Sequence, residues 1–254
     1  MNGREHLGQA RFGLLRSELL KLTSVRTPRW VLVGQVALLV LAASGAVVSG
    51  ALDPANLAGG VGLRRLLEHG GIVAIMSLAV WITLSAGEFR HGTAIDTFLS
   101  EPRRERVVAA KLGAGLLAGL AVGVVVAAAT VGVAAAWCGV KDVDLDPAVT
   151  WRSAVGVTLW QASYTVIGVA LGSLVRAQAA AVVVAVAWLT IAETAIAQLV
   201  SSVGRWLPAT AATALGNAPD DGLLTQLGGG LVLAGWTAAA ALAAVVVTAR
   251  RDLA

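Results

Sequence analysis

The chain has 254 residues, of which 57 % are hydrophobic and 13 % are charged, and its formal net charge is +4. Soluble domains contain about 25 % charged residues, so this composition excludes an ordinary soluble protein and predicts a membrane protein. A basic balance can indicate a nucleic-acid binder. Here the Lys and Arg residues flank apolar runs, as membrane topology requires, and we expect no nucleic-acid partner.

The N-terminal tail, residues 1–29, carries apolar residues at helical spacing: Leu7, Phe12, Leu15, Leu19 and Leu22. Arg11, Arg16, Glu18 and Lys21 fall mostly on other faces. This pattern predicts an amphipathic helix in the cytoplasmic interface, ending before Pro28. A partly disordered tail is the alternative.

Six apolar stretches are long enough to cross a bilayer, which takes about 20 residues. They cover residues 30–52, 70–87, 112–137, 153–174, 179–200 and 227–248. The sequence therefore predicts an all-α polytopic membrane protein with one transmembrane domain over residues 1–254. Residues 1–29 form its amphipathic helix, residues 30–248 its six-span bundle and residues 249–254 a cytoplasmic tail.

The distribution of Lys and Arg predicts the orientation. An even number of spans puts both termini on one side of the membrane. Fourteen basic residues fall on that side and five fall on the other: Arg64, Arg65, Lys141, Arg152 and Arg205. The positive-inside rule then places both termini in the cytoplasm, in a multi-pass protein of the cytoplasmic membrane.

The predicted cytoplasmic loop between the second and third spans, Glu88 to Lys111, holds nine charged residues. Within it Ile95, Phe98 and Leu99 are spaced i, i+3 and i+4, which predicts an apolar stripe on a short helix ending before Pro102. Such a helix, with Thr93 as its N-cap, suits docking into a partner's groove. The alternative is a helix that lies on lipid.

Residues 201–226, between the fifth and sixth spans, are too apolar for a free loop and too interrupted for a seventh span. We expect short interfacial or re-entrant helices there.

The chain lacks the residues that ATP hydrolysis, metal binding and serine-hydrolase catalysis need. No Gly-rich loop ends in Gly-Lys-Ser/Thr, so the chain has no P-loop for ATP hydrolysis. His6, His69 and His91 fall on different sides of the membrane, and we expect no metal site. No Gly-x-Ser-x-Gly elbow occurs either, so we do not expect an enzyme.

Glu193 is the one clearly ionisable side chain well inside a predicted span, where a carboxylate costs roughly 2.5–3.5 kcal/mol. It is a candidate residue of a transport pathway. Equally, it can be a structural group that is hydrogen-bonded near Thr190 and Thr194 and joins helices. Glycines spaced by four in the third span (Gly115, Gly119, Gly123) and in the fourth (Gly168, Gly172) predict close helix packing.

The basic tail ending in residues 18–26, Glu-Leu-Leu-Lys-Leu-Thr-Ser-Val-Arg, resembles the permease subunits of ABC-2 type exporters. Three further features resemble the same family: the stretch Glu88-Phe89-Arg90-His91-Gly92-Thr93 followed by Pro102, Arg103 and Lys111, the order of the six spans, and the final Arg250-Arg251-Asp252. The resemblance covers nearly the whole chain.

The resemblance implies a pair of permeases, identical or paralogous, each docked on a separate ATP-binding subunit that holds ATP and Mg. The loop between the second and third spans would be the coupling helix, with the N-terminal helix beside it. The residues expected to contact the ATPase subunit are Glu88, Arg90, His91, Gly92, Thr93, Ile95, Phe98, Leu99 and Arg103. The path between the permeases would be lined chiefly by the second and fifth spans, near Glu193, for an unspecified substrate.

A second interpretation is a non-transporting membrane protein, such as an immunity or assembly factor, that binds a peptide or protein partner.

Overall fold

The structure, a computed structural model, describes residues 13–21, 26–58, 60–90, 103–175 and 177–250. Helices make up 86 % of these residues, and no strand occurs among them. The all-α prediction is confirmed for this part of the chain.

Six helices are long and apolar enough to cross a membrane, as predicted. In chain order, the first to sixth spans are Thr27–Val48, Val61–Glu88, Arg104–Val140, Pro147–Leu174, Gln178–Leu199 and Gln226–Arg250. Their length and composition are those of a multi-pass membrane protein.

The second span differs most from its predicted bounds, because it begins at Val61 rather than at residue 70. It consists of two helical segments, Val61–Ile72 and Ala74–Arg90, that meet at Val73. The first segment carries Arg64, Arg65, Glu68 and His69, which lower its hydropathy and hide it from a search for apolar runs.

The third span has 37 residues. At about 1.5 Å per residue it is longer than the roughly 30 Å hydrocarbon core, so its first turns, up to Lys111, can project beyond that core. The predicted loop 88–111 is thus shorter than expected, since residues 88–90 and 104–111 continue the helices on either side. We name the two ends of the bundle after described residues, the Lys111 end and the Asp146 end.

Shorter helices complete the described chain. They are residues 13–21 (the N-terminal helix), Pro54–Ala58, Ser201–Gly204 and Pro208–Leu215 (the loop helix). The fifth span contains a π-helical turn, Trp188–Ala192, between Gln178–Ala187 and Glu193–Leu199. Asp146 caps the start of the fourth span, because its side chain accepts hydrogen bonds from the backbone N–H groups of Ala148 (2.8 Å) and Val149 (3.2 Å).

Glycines let the third and fourth spans approach closely. A Cβ added at Gly119 would lie 2.8 Å from the Cα of Ala162, and one at Gly123 would lie 2.6 Å from the carbonyl oxygen of Thr158. A Cβ added at Gly168 would lie 2.7 Å from the carbonyl oxygen of Leu78 in the second span. The predicted packing role of these glycine motifs is confirmed.

The second and fourth spans form the centre of the bundle. In the most apolar stretch of the fourth span 61 % of the residues are buried, against 11 % in the fifth and sixth spans. The first, fifth and sixth spans therefore turn most of their apolar surface outward, as helices facing lipid do.

Candidate functional site

Four charged side chains meet at the Lys111 end, and we call them the ion-pair cluster: Glu18, Lys21, Glu88 and Lys111. The Lys111 ammonium pairs closely with the carboxylate of Glu88 and lies 3.6 Å from that of Glu18. Lys21 lies 2.6 Å from Glu18. The side chains of Glu18 and Lys111 are only 7 % and 12 % exposed, so these pairs are screened less than surface pairs.

The cluster joins three elements. Glu18 and Lys21 belong to the N-terminal helix, Glu88 ends the second span, and Lys111 lies in the first turns of the third span. Leu15 adds an apolar contact, since its Cδ1 lies 3.5 Å from the Cβ position of Gly113. Ionic and apolar contacts together hold the N-terminal helix against the bundle.

The periodicity of the N-terminal helix predicts that Glu18 faces away from its apolar side. The structure instead makes Glu18 the most buried residue of that helix, at 6 % exposure. The physical reason is Lys111, a partner 93 positions along the chain that no local pattern can show.

Of the predicted ATPase-coupling residues, only three fall within the described residues. Glu88 belongs to the ion-pair cluster, the backbone of Arg90 ends the second-span helix, and Arg103 directly precedes the third span. His91, Gly92, Thr93, Ile95, Phe98 and Leu99 lie outside the described residues.

Glu193 is 1 % exposed and lies directly after the π-helical turn of the fifth span. Its Oε2 accepts a hydrogen bond of 2.7 Å from the backbone N–H of Ala209, in the first turn of the loop helix. A carboxylate at this position satisfies a helix N–H that has no partner within the helix and favours the positive end of the helix dipole.

The two threonines near Glu193 in sequence do not bind it. The hydroxyl of Thr190 donates to the carbonyl of Val186, and that of Thr194 donates to the carbonyl of Thr190. The hydrogen bond of Glu193 therefore connects the fifth span to the loop helix and is not a bond within the fifth span.

A groove of about 590 Å³ runs beside Glu193, which we call the fifth-span groove. Its walls come from the second, fourth, fifth and sixth spans and include Tyr164, Trp188 and Trp236. Pro208, the residue before Ala209, closes it on the side of the loop helix. This volume is within the range of small-molecule sites, and its apolar lining suits a hydrophobic ligand.

A second polar group, which the sequence reasoning missed, crosses the centre of the bundle. Gln35 of the first span donates from Nε2 to the Oγ of Ser77 (2.8 Å) and to the carbonyl of Val73 (3.0 Å). Ser77 donates in turn to the Oε1 of Gln161 in the fourth span (2.8 Å). Gln35 and Gln161 are fully buried. The sequence does mark these two glutamines, because each interrupts an otherwise apolar run.

This amide cluster lies at the break of the second span. The carbonyl of Val73 at the break accepts from Gln35, and the carbonyl of Gly70 lies 3.4 Å from Nε2 of Gln161. Side chains of neighbouring helices commonly satisfy backbone groups that an irregular membrane helix frees. The cluster thus has a sufficient structural explanation.

Neither protein-family models nor curated proteins give a match to this sequence. Within the described chain, no three His, Cys, Asp or Glu side chains come close enough to hold a metal ion.

Proposed function

We propose that this chain is the permease subunit of an ABC-2 type exporter, which moves its substrate by the ATP hydrolysis of a separate subunit. The observation that carries the proposal is the ion-pair cluster. It ties together the three elements that the sequence resemblance assigns to ATPase coupling: the N-terminal helix and the two ends of the loop between the second and third spans.

In this proposal, the cluster acts as a rigid joint. The ammonium of Lys111 lies between carboxylates of two other elements, so a displacement of the loop must move all three together. Tightly packed interiors transmit such displacements rather than absorb them. The joint would carry the ATPase movement into the second and third spans.

The proposal also assigns a topology. Both termini and the Lys111 end face the cytoplasm, and the loop helix lies toward the opposite membrane surface as an interfacial or re-entrant helix. A second permease, identical or paralogous, completes the transporter, and ATP and Mg bind to the partner subunit. In this arrangement, Glu193 and the fifth-span groove would lie near the substrate path between the two permeases.

Co-purification with candidate ATP-binding-cassette proteins of the same genome tests the proposal. We expect one of them to form a stable complex whose ATP turnover depends on this chain. Replacing Ile95, Phe98 and Leu99 together by Asp should abolish that complex, because carboxylates cannot enter an apolar groove without a large desolvation cost.

The matched control replaces the same three residues by Leu, Leu and Met, which keeps the stripe apolar and should preserve the complex. Binding that survives the Asp triple variant contradicts the docking helix. A chain that binds none of these ATPases but retains a peptide or protein partner is instead the membrane binding factor of the second interpretation.

A further inference from the structure

A second groove, of about 430 Å³, lies between the fourth and sixth spans at the Asp146 end, and we call it the sixth-span groove. Its walls are mostly aliphatic and include Val155, Leu159, Leu215, Leu231 and Ala234. Leu159 is 43 % exposed and Leu231 is 66 % exposed, so the groove opens on the outer face of the bundle.

Arg152 and Gln226 form the polar end of this groove. Along the fourth span, the residues that line the groove run from Trp151 to Ser163. At about 1.5 Å per residue these two residues are roughly 18 Å apart along the helix, which is a little over half of the roughly 30 Å hydrocarbon core. The groove therefore has the depth of one leaflet.

The guanidinium of Arg152 lacks an acidic partner. The side chain is exposed, and in the described part of the chain no carboxylate lies within ion-pair distance of it. Arg65 at the same end differs, since it lies 3.4 Å from Asp220. Trp151, 70 % exposed beside Arg152, is the residue type that marks the headgroup level of a membrane.

The rim of the groove is held in place by hydrogen bonds. Nε2 of Gln226 donates to the carbonyl of Arg152 (2.8 Å) and to that of Leu215 (3.0 Å). One amide thus fixes the starts of the fourth and sixth spans and the end of the loop helix. The groove is consequently preformed, which lowers the ordering cost of binding.

We propose that the sixth-span groove binds one anionic phospholipid, with an acyl chain against its aliphatic walls and the headgroup phosphate on Arg152. An arginine donates two parallel N–H groups to a phosphate, and its own hydrocarbon stem can lie along the apolar wall. A zwitterionic lipid fits the walls equally but brings a second cation to Arg152.

Native mass spectrometry of the full chain in detergent tests this, with dioleoylphosphatidylglycerol and dioleoylphosphatidylcholine as probes. We expect one phosphatidylglycerol to bind at least about tenfold more tightly than phosphatidylcholine, a ratio that corresponds to about 1.4 kcal/mol. Arg152→Gln should bring the two affinities together. Arg65→Gln, which removes an equal charge at the same end, should leave the ratio unchanged.

The apolar walls are tested separately. Ala234→Phe places a ring in the groove and should weaken both lipids alike, whereas Ala238→Phe, one turn along the same exposed helix and outside the groove, should not. Equal affinities in the wild type, or a ratio that Arg152→Gln does not change, would overturn the proposal. The measurement needs no ATPase, so it stands or falls independently of the transport proposal.

Discussion

Lys111 is the residue on which the ion-pair cluster depends, because it faces the carboxylates of Glu18 and Glu88. Lys111→Met keeps most of the side-chain volume but leaves both carboxylates without their shared cation. Removing one partner of a buried pair costs about 3–5 kcal/mol, and we expect the lower end because Glu88 is 24 % exposed. Thermal or denaturant unfolding in detergent measures the loss.

The matched control is Lys21→Met, since Lys21 is 42 % exposed although it pairs with the same Glu18. The Lys21 ammonium is largely solvated, and Glu18 keeps Lys111 as a partner in this variant, so we expect a smaller loss of stability than in Lys111→Met. Equal losses of unfolding free energy in the two variants would show that the burial of Lys111 does not determine how much the cluster stabilises the fold.

Substitutions of Glu193 can separate the effect of its charge from that of its hydrogen bond. Glu193→Gln retains an oxygen that can accept from the Ala209 N–H, whereas Glu193→Leu leaves this N–H unpaired at a cost of about 1–3 kcal/mol. We expect the Leu variant to speed hydrogen exchange at Ala209 by tenfold or more, since about 1.4 kcal/mol corresponds to tenfold. The Gln variant should exchange like the wild type. Fast exchange in both variants would mean that the charge, and not the hydrogen bond, holds the loop helix.

At the scale of elements, the third and fourth spans pack so closely that there is no room for a side chain at Gly123. Gly123→Ala adds a methyl group 2.6 Å from the Thr158 carbonyl oxygen, so the two backbones must separate. Such overpacking typically costs about 1–3 kcal/mol. The loss is measurable as a lower unfolding temperature in detergent.

Gly132 in the same helix provides the control, because nothing lies within 4 Å of its Cβ position. Ala is favoured over Gly by about 1 kcal/mol inside a helix, so Gly132→Ala should be neutral or stabilising. A destabilising Gly132→Ala would indicate that the loss at Gly123 does not come from the contact between spans.

The element boundaries show what the sequence could predict. Hydropathy finds all six spans because the part of a membrane helix that lies in hydrocarbon must be mainly apolar. It places the start of the second span too late because Arg64, Arg65 and Glu68 lower the local average while the helix continues through them. It finds Glu193, a charge in an apolar run, but not Ala209, because that partner is joined to it only by the folding of the chain.

At the scale of the whole molecule, the ion-pair cluster and the loop helix lie at opposite ends of the bundle, so the orientation of the chain decides what each can meet. Fourteen basic residues on the side of the termini against five on the other predict a cytoplasmic Lys111 end. The transport proposal requires that orientation, since the ATP-binding subunit is cytoplasmic.

Cysteine labelling in intact cells measures the orientation directly. Cys138, the one cysteine of the chain, is 1 % exposed, so it should react little with a membrane-impermeant maleimide. Ser17 in the N-terminal helix and Asp221 after the loop helix are both exposed and lie toward opposite ends. We expect Asp221→Cys to be labelled in intact cells and Ser17→Cys only after permeabilisation. The reverse pattern would put the ion-pair cluster outside the cytoplasm, where no ATPase subunit could reach it.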